Sequence, residues 1–93
     1  MSIELSSRVV RTEEMISAPV DNEIIILNMA ENNYIGLDEI GRRIWELLAE
    51  TRSVVEVCDL LSLEFEATPE QIAADLIPFL EELRDEGLII LTE

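Results

Sequence analysis

This 93-residue sequence predicts an α+β domain, and three observations predict it. The first third holds β-branched runs without helical spacing, chief among them Glu23-Ile-Ile-Ile-Leu-Asn-Met29. From Asp38 onward the apolar period changes from two residues to about 3.6, the repeat of an amphipathic helix. Hydrophobic residues make up 48% of the chain, enough for one core and too few for two, so a single domain over residues 1–93 is expected.

The sheet is expected over about residues 8–37. Val9, Val10, Met15 and Ile16 form a broken strand pattern that ends at Ala18-Pro19. Asp21-Asn22 supplies turn chemistry, because short polar side chains bond locally to the backbone. Glu23–Met29 is the best strand, and Ala30-Glu31-Asn32-Asn33 makes the next turn, its Asn pair tolerant of left-handed angles. Tyr34-Ile-Gly-Leu37 is a short third strand, in which Gly36 marks a bulge or the close approach of another backbone.

Three helices follow, over 38–50, 53–66 and 69–86. Asp38 caps the first, and Ile40, Ile44, Leu47 and Leu48 give its stripe with Trp45 beside it. Ser53-Val-Val-Glu56 is a capping box that starts the second, whose apolar set is Val54, Val57, Cys58, Leu61 and Phe65. Thr68-Pro-Glu-Gln71 starts the third with a cap, a proline at the first helical position and a box-closing Gln. Gly87 stops it, and residues 87–93 finish the chain as a short strand or extended tail. Three helices with tight turns beside a hairpin describe a winged helix-turn-helix-like domain: a three-stranded antiparallel N-terminal sheet followed by three helices.

Composition excludes most catalysis. The six basic residues are all Arg, and there is no Lys and no His. A Ser-His or Cys-His nucleophile, a Schiff-base lysine and an imidazole metal ligand are therefore unavailable. The one Cys, Cys58, sits at an apolar helical position and reads as core; it can form neither an internal disulfide nor a zinc site. Adjacent carboxylates such as Glu13-Glu14 and Glu81-Glu82 diverge by about 100° when helical, so they do not share an acid/base site. Gly36, Gly41 and Gly87 are too dispersed for a phosphate loop. The expectation is a binding module, not an enzyme, with no metal and no cofactor.

Twenty-one Asp and Glu leave a formal net charge of −15, which repels nucleic acid. The charge is uneven: residues 1–37 hold 6 acids and 2 bases, residues 38–93 hold 15 acids and 4 bases. The helical half either keeps the domain soluble or steers a basic partner toward it. The longest apolar runs, Ile24–Leu27 and Leu88–Leu91, fall far short of the ~20 residues of a membrane span, and Met1–Leu5 lacks signal-peptide features. A cytoplasmic protein without membrane or nucleic-acid partners is expected.

Two features exceed what a plain core needs. If Asn33-Tyr-Ile-Gly-Leu37 forms a sheet edge, its unpaired amides and carbonyls can accept a further strand. Pro78 inside the third helix frees the carbonyl of Ala74 and bends the helix, either as a tolerated kink or to shape a groove. On that helix Ile72, Leu76, Phe79, Leu80 and Leu83 share the core stripe. Asp75, Phe79 and Glu82 lie on one flank, an aromatic floor with an acidic rim suited to an extended basic peptide. Ala73, Ile77 and Arg84 lie on the other, a smoother face suited to a dimer.

The run Ile26–Leu48, and with it Ala74–Leu88, resembles the PqqD-like family, the RiPP recognition elements that bind leader peptides of ribosomal natural products. The motifs are Tyr34-x-Gly-Leu37, Gly41-x-x-Ile44-Trp45, Asp75-x-x-x-Phe79-Leu80-x-x-Leu83 and Gly87-Leu88, over roughly residues 20–90. The resemblance implies that a leader is held as an added strand along Asn33, Tyr34, Ile35, Gly36 and Leu37, in a cleft closed by the third helix. Ile72, Asp75, Leu76, Phe79, Glu82 and Leu83 would line it. A free-standing chain of this length looks most like the versions from lasso-peptide pathways. There the leader carries a Tyr and a Pro three residues later, often with several Lys, and the working partners are a leader peptidase and an ATP-dependent macrolactam-forming cyclase. Pro78 departs from the pattern. The resemblance also allows a PqqD proper that delivers a precursor to a radical SAM enzyme. Outside it stand a winged-helix transcription regulator, disfavoured by 7 acids and one base in residues 68–93, and a dimerisation module using the Ile77 flank.

Overall fold

The strand-rich third of the chain divides after Arg11 and feeds two sheets. A computed structural model describes residues 3–13, 15–29 and 32–92. Its elements are β1 (Arg8–Arg11), β2 (Met15–Val20), β3 (Glu23–Asn28), β4 (Asn33–Leu37), α1 (Glu39–Leu47), β5 (Arg52–Ser53), α2 (Val54–Glu64), α3 (Pro69–Asp85) and β6 (Ile89–Thr92). Strands β2, β3 and β4 form one antiparallel sheet in that spatial order, with Ile26 opposite Ser17 on one side and Ile35 on the other. The N-terminal sheet therefore covers 15–37, not 8–37.

Strand β1 leaves it for a second sheet, where it lies between β5 and β6 with Val9 opposite both Arg52 and Leu91. The reason is apolar. Val9, Leu88 and Ile89 are fully buried, so the C-terminal run is drawn into the core and finds its backbone partners on β1. The Thr12 amide donates to the Leu88 carbonyl at 2.9 Å, and the Arg11 amide to the Leu48 carbonyl at 2.9 Å, which ties this sheet to the end of α1. Of the short strand or extended tail expected after Gly87, the strand forms, as β6.

Both hairpin turns rest on left-handed backbone. Asp21 has φ 57° and Asn32 has φ 54°, the region that Asp and Asn tolerate best after glycine. Ala30 and Glu31, the first half of the second expected turn, lie outside the described residues, as do Met1, Ser2, Glu14 and Glu93. β3 alternates cleanly: Ile24, Ile26 and Asn28 are buried while Ile25 and Leu27 are exposed. Only one face of this apolar strand is used by the core.

The helix starts follow the capping chemistry. Asp38 Oδ1 accepts the Gly41 amide at 2.8 Å. Ser53 and Glu56 exchange side chain-to-backbone bonds at 3.2 Å each way, and Thr68 and Gln71 do the same at 3.2 and 3.0 Å. At the end of α3 Gly87 takes φ 76°, with its amide on the Arg84 carbonyl and the Leu88 amide on the Leu83 carbonyl, both at 2.9 Å. This pair of bonds is a Schellman motif. Helix α3 runs unbroken through Pro78, which lies with Ala74 on the exposed side of the helix and leaves the Ala74 carbonyl without an amide. No helix among the described residues is long and apolar enough to cross a membrane.

The core gathers Ile26 from β3, Trp45 and Leu48 at the end of α1, Leu61 from α2 and Leu80 and Leu83 from α3. Ile3 is buried as well, and its amide donates to Glu81 Oε2 at 3.3 Å, so the N-terminal segment lies against α3. On the flank expected to suit a dimer, Ala73 and Ile77 are half-buried and pack on the chain's own core.

Candidate functional site

Sheet order places β4 at one edge of its sheet, with β3 on one side and no strand on the other among the described residues. Beside β4 and α1, the N-terminal half of α3 leaves a cleft of about 620 Å³. Gly36 and Leu37 line it from the sheet, and Ile72, Asp75, Leu76 and Phe79 from α3. Six of the eleven residues singled out from the sequence are thus brought together around one cavity.

The other five sit around it. Asn33 is exposed, and its amide donates to Glu86 Oε2 at 3.4 Å. Tyr34, 74% exposed, stands on the outer face of the sheet, away from the core. Ile35 is half-buried and packs on the core. Glu82 is exposed further along α3 and does not line the cleft, and Leu83 is wholly buried beneath it. The pattern follows from periodicity: Leu83 is seven residues past Leu76 and points at the same core.

The floor holds residues that the sequence reading did not assign to the site. Ile44 of α1, Leu61 of α2, and Phe65 and Ala67 of the α2–α3 connection deepen it with apolar surface. Gly41 makes this possible. A Cβ on Gly41 would meet Leu37 Cβ at 3.0 Å and Phe79 Cζ at 3.4 Å, so the absent side chain lets β4, α1 and the Phe79 ring close on one another. Its signal was present in the sequence: a glycine in the first turns of a helix costs about 1 kcal/mol against alanine and calls for a packing reason.

The rim is acidic. Glu23, Asp38 and Asp75 border the cleft, and none of its lining residues is an arginine. Asp38 is committed to capping α1. The arginines of α1 are engaged elsewhere: Arg43 Nε lies 2.7 Å from Glu64 Oε1, and Arg42 Nη1 donates to the Asp21 carbonyl at 2.9 Å. Because of the hydrogen bond with Arg43, Glu64 is held below the usual carboxylate range and the Arg43 guanidinium is pushed up. Burial pushes the Cys58 thiol up, away from the thiolate needed for attack. Among the described residues no three His, Cys, Asp or Glu side chains converge as for a metal ion.

A second opening, about 760 Å³, lies between the two sheets and is the larger of the two. Of its polar lining, Arg11, Thr12 and Asn28 are already hydrogen-bonded within the chain. Arg11 lies 5.3 Å from the Trp45 ring centre and donates to the Trp45 carbonyl at 3.2 Å, and Asn28 donates to the Glu86 carbonyl at 2.9 Å. This seam joins the sheets, whereas the α3 cleft adjoins the open edge of β4 and is the candidate site.

An apolar cleft with an acidic rim thus lies alongside the open edge of β4 in a winged-helix-like α+β domain. The chain belongs to the PqqD family. The family described as coenzyme PQQ synthesis protein D (PqqD) matches residues 23–89. A relative from Rhodopseudomonas palustris (strain HaA2), named PqqA binding protein, is 33% identical over 61 residues, covering 66% of this chain and 60% of that protein. The chain thus spans 60% of that relative's length, less than two thirds. Among solved structures, TbiB1 in complex with the TbiA(beta) leader peptide is similar with a TM-score of 0.79 and 31% identity. The likeness covers 86% of this chain and 93% of that one. The winged-helix-like α+β architecture is shared.

Proposed function

We propose that this protein is a non-catalytic leader-peptide-binding protein that captures a ribosomal precursor peptide as an added strand on β4 and presents it to processing enzymes. The observation that carries the reading is the cleft: a free strand edge, an apolar floor and an acidic rim, all beside one helix. The relation to TbiB1, which was solved with a leader peptide, and to a protein named PqqA binding protein supports it.

Energetics divide the work. Four or five strand hydrogen bonds at about 1 kcal/mol net each do not offset the cost of ordering a flexible peptide. Two side chains anchored on the Ile44–Phe65–Phe79 floor at about 1.5–3 kcal/mol each bring affinity into the micromolar-to-nanomolar range. Residues of an added strand alternate, so anchors two positions apart share the inward face, whereas a Tyr and a Pro three positions apart face opposite sides of the strand. Lys or Arg on the peptide meets the Glu23 and Asp75 rim.

The pathway we favour makes lasso peptides, with a leader peptidase and an ATP-dependent macrolactam-forming cyclase as partners and a leader carrying Tyr and Pro anchors. The reading places the protein in the cytoplasm, where a single reduced cysteine is in keeping. A second reading, delivery of a precursor to a radical SAM enzyme, is favoured by the family match and by the relative's name. Titration separates them. A TbiA(beta)-type leader and a PqqA peptide are added in turn to the labelled protein, and the backbone amide shifts of 33–37 and α3 are followed. Micromolar or tighter binding of the first alone supports the lasso reading, and of PqqA alone the second. If neither moves those amides, strand capture on β4 is wrong.

A further inference from the structure

Gly36 is the one glycine of three that nothing within the chain explains. Gly87 is required by its φ of 76°, and Gly41 by the 3.0 Å approach of Leu37. Gly36 has no positive φ, and a Cβ built on it would meet nothing within 4 Å. Yet it stands inside the five-residue β4, where a glycine weakens the strand.

Its surroundings are apolar and unclaimed. Residues opposite one another in antiparallel strands share a face, so Gly36, Ile25 and Ala18 form one row on the outer side of the sheet. Tyr34, Leu27 and Ile16 form the next row. Ile25 is 41% exposed and Tyr34 74%. Gly36 is thus a notch in the outer face, bordered by Ile25 across β3 and by Tyr34 two residues back, with Glu23 beyond Ile25, at the edge where β4 is open.

We propose that this notch is a specificity site for a large, flat side chain of the captured strand. The proposal rests on the strand-capture reading and extends it. A strand added along β4 places the residue opposite Gly36 on the outer face, while its two neighbours point into the cleft. With no side chain at Gly36, an aromatic ring at that position lies down across β4 and reaches Ile25. Aromatic cover of an edge glycine is a recurrent device in sheets. Recognition of the ligand is then two-sided: inward residues fill the cleft, and one outward aromatic fills the notch.

The test uses the full chain, its Gly36→Val variant, and a display library of short randomised peptides. Peptides selected on the unsubstituted protein are expected to carry an aromatic residue between two apolar ones. For one selected peptide, replacing that aromatic by Ala is expected to weaken binding about tenfold, the effect of losing one side chain's burial. On Gly36→Val the aromatic peptide is expected to lose about tenfold more than its Ala version does, so that the aromatic preference disappears. Thermal stability of Gly36→Val is expected to be unchanged or raised, because the added side chain has room and valine favours strands. An equal aromatic preference on both proteins, or equal weakening of both peptides by Gly36→Val, overturns the proposal with strand capture intact. Selected peptides that leave the amides of 33–37 unshifted overturn strand capture itself, and this proposal with it.

Discussion

At the residue scale, Phe79 and Gly41 carry more than the acidic groups around them. Phe79 is half-buried on the cleft wall, whereas Asp75 is exposed at its rim. An exposed charge contributes about 0–1 kcal/mol to a pair, while removing a partly buried ring costs about 2 kcal/mol or more of contact. Phe79→Ala is therefore expected to weaken a bound leader more than tenfold, and Asp75→Asn less than fivefold, in calorimetric titration. The reverse order would sink the picture of an anchored strand. For Gly41→Ala two effects compete. Helix propensity favours alanine by about 1 kcal/mol, and a new methyl 3.0 Å from Leu37 Cβ opposes it with an overpacking cost of about 1–3 kcal/mol. Leu37 Cβ is fixed to the strand backbone and cannot swing aside, so crowding wins. The variant is expected to melt lower than the parent, and a higher melting temperature would show that β4 and α1 have slack.

At the element scale, helix starts are decided locally. The Glu56 carboxylate is held below its usual range first by the Ser53 amide and then by the Ser53 hydroxyl, the two bonds of the α2 box. A depressed carboxylate stabilises the fold above its unfolded pKa, and that contribution is lost as pH falls through the folded pKa. Glu56→Gln is therefore expected to flatten the acid end of the stability profile, matching the parent at low pH and falling below it at neutral pH, where the ionised carboxylate makes its contribution. Ser53→Ala, which removes the cap itself, is expected to cost about 1 kcal/mol at any pH, read by urea unfolding. These bonds were legible in the sequence because a capping box spans four residues and needs nothing distant. The strands were less so. Val9 and Val10 read as the start of the N-terminal sheet, and their partners lie about eighty residues away in β6.

At the scale of the whole molecule, the charge of −15 acts together with the cleft. None of the cleft's lining residues is an arginine, so the charged groups of the lining itself are all acidic. A basic leader is expected to associate faster at low salt, with an on-rate that falls at least tenfold from low to high ionic strength while the off-rate changes little. Stopped-flow mixing checks this, and an on-rate indifferent to salt would leave the charge as a solubility device only. The second sheet also works at this scale. β6 closes the chain onto β1, with Leu88 and Ile89 buried, so truncation after Gly87 is expected to abolish the cooperative thermal transition.

Sequence alone determined what depends on near neighbours and on chemical inventory. The helix starts, the two hairpin turns, the apolar faces and the absence of His and Lys all follow from residues within a few positions of each other, or from a count. The α3 face of the site was readable for the same reason, since Ile72, Asp75, Leu76 and Phe79 recur at helical spacing. Tertiary structure decided what depends on who meets whom. It sent β1 to β6 instead of β2, because burying Val9, Leu88 and Ile89 together removes apolar surface that a single N-terminal sheet would leave wet. It gave the cleft a floor from α1, α2 and the connection after α2, and turned Gly41 from a weak helix residue into the contact that lets the walls approach. Packing between distant segments has no period, and so it leaves no pattern along the chain.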